Sequence, residues 1–131
     1  MKKSLESQIY LQCPLIFRNK NAGLHVNLMQ FGFDCGEGWF EILENLFLNI
    51  EAYSRQLLEQ GRSIDKLPSA AQVKEKWGTL CVYIDNTDEH IETLIQAAGG
   101  RSCVTCEICG NPGKIIIESY YRVRCGICRN L

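Results

Sequence analysis

Long apolar runs are missing from this chain of 131 residues. No stretch approaches the roughly 18 residues that a membrane span requires. The opening Met-Lys-Lys-Ser-Leu-Glu also has neither the apolar core nor the small-residue cleavage site of a secretory signal. The expected compartment is therefore the cytoplasm, with no membrane partner. Strong charge of one sign is missing too: the formal net charge is -1, which excludes a basic protein that coats nucleic acid. Histidine is scarce, so a nucleophile in need of a base has only His25 and His90 to draw on. Internal repeats, low-complexity stretches and Pro/Ser-rich linkers are absent, which leaves one compact domain or one domain with a small appendage.

Cysteine, by contrast, is abundant, with 8 residues. A reducing compartment disfavours structural disulfides, so paired cysteines there read as metal ligands or redox sites. Cys106-Glu-Ile-Cys109 and Cys125-Gly-Ile-Cys128 form two Cys-x-x-Cys pairs with 15 residues between them. Two intervening residues allow a tight turn to aim both sulfurs at one point, and zinc prefers four such ligands in a tetrahedron. Gly110 and Gly126 suit those turns. Between the pairs lie a turn signal, Asn111-Pro112-Gly113, and two strand-like runs around Ile115–Ile117 and Tyr121–Val123.

That pattern predicts a zinc ribbon. One structural zinc per chain would sit on Cys106, Cys109, Cys125 and Cys128. About thirty residues bury too little apolar area to fold alone, whereas structural zinc contributes on the order of 10–16 kcal/mol in zinc-finger peptides. Four thiolates also leave no open coordination position for an activated water. Cys103, three residues before Cys106, makes an alternative Cys103/Cys106 register conceivable. The turn after Gly110 favours Cys106/Cys109.

Upstream, the stretch to Asn21 suggests a short helix or turn, and Leu24–Phe33 alternates like a strand. From Cys35 to Gln60, Trp39, Leu43, Leu46, Phe47, Ile50, Tyr53 and Leu57 recur at helical spacing, with Asp34 and Glu37 placed as a capping pair and Gly61 as a stop. Arg62–Ala70 reads as a loop. Ala71–Trp77 and Thr79–Asp85 read as a hairpin about Gly78. Asn86 with Glu89 would cap a short helix ended by Gly99 and Gly100. The expected fold is α+β: a small antiparallel sheet packed with one long and one short helix, over residues 1–100, with the ribbon of residues 101–131 packed on it.

Several residues admit two readings. Cys35, flanked by Asp34 and Glu37, could be a thiol activated at a helix N-terminus, which would make the protein a cysteine-dependent enzyme. A helix cap with Trp39 entering the core explains the same residues more simply. Lys114, Arg122, Arg124 and Arg129, beside Tyr120 and Tyr121, could contact phosphates and stack bases. From Arg101 onward the chain carries a net +3, and a zinc tetrathiolate would cut that to about +1, which weakens the electrostatic case. Cys13, Cys35 and Cys81 read as small, partly buried apolar residues.

Phe31-Gly-Phe-Asp-Cys-Gly-Glu-Gly-Trp-Phe40, Gln72-Val-Lys-Glu-Lys-Trp-Gly-Thr-Leu80 and Cys106-Glu-Ile-Cys-Gly-Asn-Pro-Gly113, with the closing cysteine pair, resemble a family of small phage and prophage proteins. The likeness runs from about Cys13 to Cys128. Such proteins often carry His where Cys128 stands, still a zinc ligand, and Arg where Cys81 stands, so that thiol has no shared task. The resemblance implies no activity. It implies a mobile-element origin in a bacterial host cell and a non-catalytic role in binding a host protein or protein complex, with inhibition of a bacterial defence system, as by anti-CRISPR proteins, one form of it. A nucleic-acid-binding ribbon is the alternative.

Overall fold

A computed structural model describes all residues, Met1–Leu131. The chain folds as α+β, with three helices, a three-stranded sheet and a two-stranded sheet. Helix α1 spans Lys3–Gln12, α2 Phe40–Glu59 and α3 Glu89–Ser102. Strands β1 (Phe33–Asp34), β2 (Ser69–Lys76) and β3 (Thr79–Asp85) form the larger sheet in that order. Strands β4 (Lys114–Ile117) and β5 (Tyr121–Arg124) form the ribbon hairpin. No helix is long and apolar enough to cross a membrane.

Helix α2 organises the core. Its apolar residues fall three or four apart, so Ile42, Leu43, Leu46, Phe47 and Ile50 line one buried stripe. They meet Phe17 and Phe33 in an aromatic cluster, with Phe33 stacked on Phe47 at 5.8 Å, and Val73, Leu80, Val82 and Ile84 from the sheet. Ile91 and Ala98 of α3 close the far side, and the ribbon's Val123 belongs to the same cluster. Buried Glu51 accepts from the amides of Leu15 and Ile16 at 3.0 and 2.9 Å, so the turn after α1 is pinned to α2 through a carboxylate whose other neighbour is Arg55.

Several local expectations need correction. Leu24–Phe33 is no strand: it is a turn and a single 3-10 turn, Met29–Phe31, that leaves only Phe33–Asp34 in the sheet. That short strand runs parallel to β2, so the sheet is mixed rather than wholly antiparallel. Leu28 donates to the carbonyl of Ala71, the residue at the bulge in β2, so the alternation of Leu24, Val26 and Leu28 serves a loop laid on the bulge.

Asp34 and Glu37 cap nothing: Glu37–Trp39 form a 3-10 turn, and α2 begins at Phe40 without a side-chain cap. At α3 the cap is Asp88, which accepts from the Ile91 amide at 2.9 Å, while Asn86 adopts φ 57 and donates to Asp65 and Leu67 carbonyls. Tyr53 of α2 also donates to Asp88. Gly99 and Gly100 do not stop α3, which continues to Ser102 because the Ser102 hydroxyl donates to Gly99 and accepts from Leu80. The hairpin about Gly78 forms as expected, except that Trp77 sits in the turn, with φ 55, and not in the strand.

Candidate metal centre

The four sulfurs of Cys106, Cys109, Cys125 and Cys128 all lie within 4.8 Å of one another. Cys109 and Cys125, from opposite knuckles, approach to 3.6 Å. A disulfide would require about 2.05 Å, whereas a tetrahedral tetrathiolate with metal–sulfur bonds of about 2.3 Å has sulfur–sulfur edges near 3.8 Å. All eight cysteines are free. The donor set therefore fits one metal ion, which these four residues can hold. Cys103 stands apart, its sulfur 3.5 Å from the Thr79 hydroxyl, so Cys106/Cys109 is the register that closes the tetrahedron.

Local electrostatics favour thiolate at the first knuckle. Burial works to raise the Cys106 pKa, but the backbone amides of Cys109, Cys125 and Ile108 outweigh it and bring the thiol down to about 6. Cys125 is lowered as well, chiefly by the Cys128 amide. Cys128 is pushed up to about 12, first by burial, then by hydrogen bonding with the sulfurs of Cys125, Cys109 and Cys106 that favours its protonated form, and last by the Cys106 charge, so the cluster without a cation keeps a proton here. A divalent ion displaces it, because each ligand gives up its proton on binding.

The first knuckle is seated on the segment that precedes α2. Gly38 donates its amide to the Glu107 carbonyl at 2.8 Å, and Gly36 donates to the Glu107 carboxylate at 2.8 Å. A Cβ on Gly36 would lie 2.3 Å from the Glu107 carbonyl oxygen, and one on Gly38 would lie 2.1 Å from that of Cys106. Only glycine permits two backbones to meet this closely. The other Glu107 oxygen faces Arg124 at 3.5 Å, and both side chains are largely buried. The Glu107 amide donates to Val123, which joins the knuckle to the edge of β5.

These supports escaped the sequence reading, which assigned Asp34, Glu37 and Trp39 to a helix cap and core. Gly36 and Gly38, alternating beside a tryptophan, were the available signal: glycines so placed mark close approach of another backbone.

The other candidate residues are placed elsewhere or already engaged. Cys35 is largely buried and its thiol is pushed up to about 12, first by burial and then by the Glu107 charge. His25 is exposed on its turn, and His90 is exposed against the Tyr53 ring at 4.3 Å. Arg122 is buried, paired with Glu118 at 3.4 Å beneath the Tyr120 ring, with its Nε lacking a hydrogen-bond partner. Arg124 bonds Val123 and Leu131 besides Glu107. Arg129 pairs with Glu118, and Lys114 is exposed without an ion pair. Three of the four cations proposed for phosphates, Arg122, Arg124 and Arg129, thus pair within the ribbon itself.

No family model matches the chain, and no curated protein or solved structure is similar to it.

Proposed function

We propose that the protein is a zinc-stabilised, non-catalytic binding protein that acts by occupying the surface of a host macromolecule. The observation that carries this reading is the closed, four-sulfur donor set, because it fills a tetrahedral ion and leaves no position for substrate or water. Soft thiolates in a tetrahedron select zinc over the harder divalent ions. The ion's role is then mechanical: it fixes the ribbon, and the ribbon's Glu107 and Thr105 are bonded to the start of α2. The raised pKa of Cys35 argues in the same direction, since a thiol held protonated at neutral pH is a poor nucleophile.

The surface offered for binding lies where two hairpin tips meet. Trp77, 69% exposed, packs edge-on to Tyr121 at 6.0 Å, with Tyr120 beside it. Aromatic side chains exposed together at a rigid tip are the residue types that anchor protein interfaces. The resemblance to phage-borne proteins directs this reading towards a protein complex of a bacterial host, including its defence machinery.

The test is capture from host lysate by the zinc-loaded chain, in parallel with Trp77→Ala. A specific partner held by the native chain and lost by the variant, with zinc content unchanged, supports the proposal. An identical set of captured proteins for both removes it.

A further inference from the structure

Edges of β-sheets expose unpaired amides and carbonyls, and native proteins cover or occupy them. Most of the edges here are treated in that way. At β1, the N-terminal ammonium donates to the Phe33 carbonyl and the Phe33 amide donates to Glu6. At β3, Ser102 of α3 takes the Leu80 amide. At β5, the Val123 carbonyl accepts from Glu107.

Strand β4 differs. The knuckle's own pairing ends one residue before it, with the Gly113 amide donating to Val104, and no backbone group of Lys114–Glu118 bonds to anything outside the β4–β5 ladder. An open groove of about 580 Å³ lies between this strand and the second knuckle, lined also by Arg124, Cys125, Gly126 and Arg129.

The sequence on that edge is Lys114-Ile115-Ile116-Ile117-Glu118. Its two ends carry opposite charges and its middle is apolar, so it is complementary to itself when reversed. An antiparallel strand from a second copy, with the two-fold axis at Ile116, sets Lys114 of one protomer opposite Glu118 of its partner, and does so twice. The same register sets Ile115 opposite Ile117 and Ile116 opposite its own copy.

Faces agree as well as ends. Within the hairpin Ile115 pairs with Val123 and Ile117 with Tyr121, so these four share one face. Val123 is buried on that face, while Ile115 and Ile117 are 41% and 65% exposed. Bringing two copies together would cover four isoleucines in one strip between the two Tyr121 rings. Lys114, a cation without an ion pair, would join Arg122 and Arg129, each at 3.4 Å, around the half-exposed Glu118 carboxylate of its partner.

We propose that β4 is a dimerisation edge, and that two copies join it antiparallel about Ile116 into a continuous four-stranded sheet, β5-β4-β4-β5. This goes beyond the binding role above and stands independently of it. The contact is isologous, as a two-fold dimer requires. A pair of five-residue strands buries less than the roughly 1,200 Å² of stable complexes, so the dimer is a weak, concentration-dependent one.

The test is sedimentation equilibrium of the zinc-loaded full chain from micromolar to submillimolar concentration. The mass is expected to rise from 14.9 kDa towards twice that value. Lys114→Glu and Glu118→Lys should each weaken self-association on the order of ten-fold, because each makes both end pairs repulsive. An equimolar mixture of the two variants should restore it, since every end pair is then attractive.

Ile117→Lys, at an exposed position, provides a second probe that leaves the hairpin's packing intact and should also hold the chain as a monomer. Zinc content, read on every sample, shows that the ribbon has folded. A mass of 14.9 kDa at all concentrations would overturn the proposal. So would a dimer indifferent to all three substitutions, or a mixture no more associated than its separate components.

Discussion

The indole Nε1 of Trp39 donates to the carbonyl of Thr105 across 3.0 Å. This joins a fully buried core residue at the entrance to α2 to the residue immediately before the first thiolate, Cys106. Trp39→Phe keeps an aromatic ring in the core and deletes the donor, leaving the Thr105 carbonyl without its partner. The expected cost is about 1–3 kcal/mol in urea unfolding of the metal-loaded chain, with faster metal loss to a chelator. A variant that loses stability but releases metal at the native rate would uncouple the core from the ribbon.

Gly38 and Gly126 give opposite expectations for the same change. A Cβ at Gly38 meets the Cys106 carbonyl oxygen at 2.1 Å, backbone against backbone, with no flexible side chain to yield. Gly38→Ala should therefore cost about 3 kcal/mol or more and weaken metal binding. Gly126 has nothing within 4 Å of an added Cβ, so Gly126→Ala, although between two ligands, should remain within about 0.5 kcal/mol of the native chain. Thermal melts of the two variants check this ordering.

Glu107 divides its carboxylate between the Gly36 amide and Arg124. Glu107→Ala leaves the Gly36 amide unanswered and the buried Arg124 charge with only the Val123 and Leu131 carbonyls to face, and should cost about 3–5 kcal/mol. Glu107→Gln keeps an acceptor for Gly36 while losing the charge that faces Arg124, so its cost should be smaller. Equal losses in the two variants, measured by denaturant unfolding, would show that the ion pair rather than the amide contact carries the stability.

Burial, aided by the Glu51 charge at Cys13 and the Glu107 charge at Cys35, pushes both thiols up to about 12. An unfolded cysteine loses its proton near pH 8.5. Above that value the unfolded chain binds fewer protons than the folded one, so stability is full below it and declines as pH rises towards 12. Cys13→Ala and Cys35→Ala should each flatten the alkaline decline of the urea midpoint. An unchanged slope in both would contradict the burial of these thiols.

Long-period patterns were legible in the sequence, and contacts between distant segments were not. The stripe from Leu43 to Leu57 predicts α2, and the spacing of Cys106, Cys109, Cys125 and Cys128 predicts the cluster, because each pattern is written within one segment. Asp34 with Glu37 and Asn86 with Glu89 satisfy the spacing of capping pairs, yet neither pair caps. Gly36 and Gly38 turn the first segment towards Glu107, more than sixty residues away, and Asn86 is held in a left-handed turn by Asp65 and Leu67. Leu24, Val26 and Leu28 alternate as strand residues do, but Val26 bonds back to Gly23 within a turn and Leu28 alone reaches the bulge at Ala71. Local rules fail at these places because a tertiary contact outweighs them.

The account rests on four sulfurs that share one ion, and X-ray absorption at the zinc K edge tests this most directly. Purified protein should show one zinc per chain with four sulfur neighbours at about 2.3 Å and no lighter ligand. A chain without stoichiometric zinc, or an ion whose shell contains nitrogen or oxygen, would contradict it.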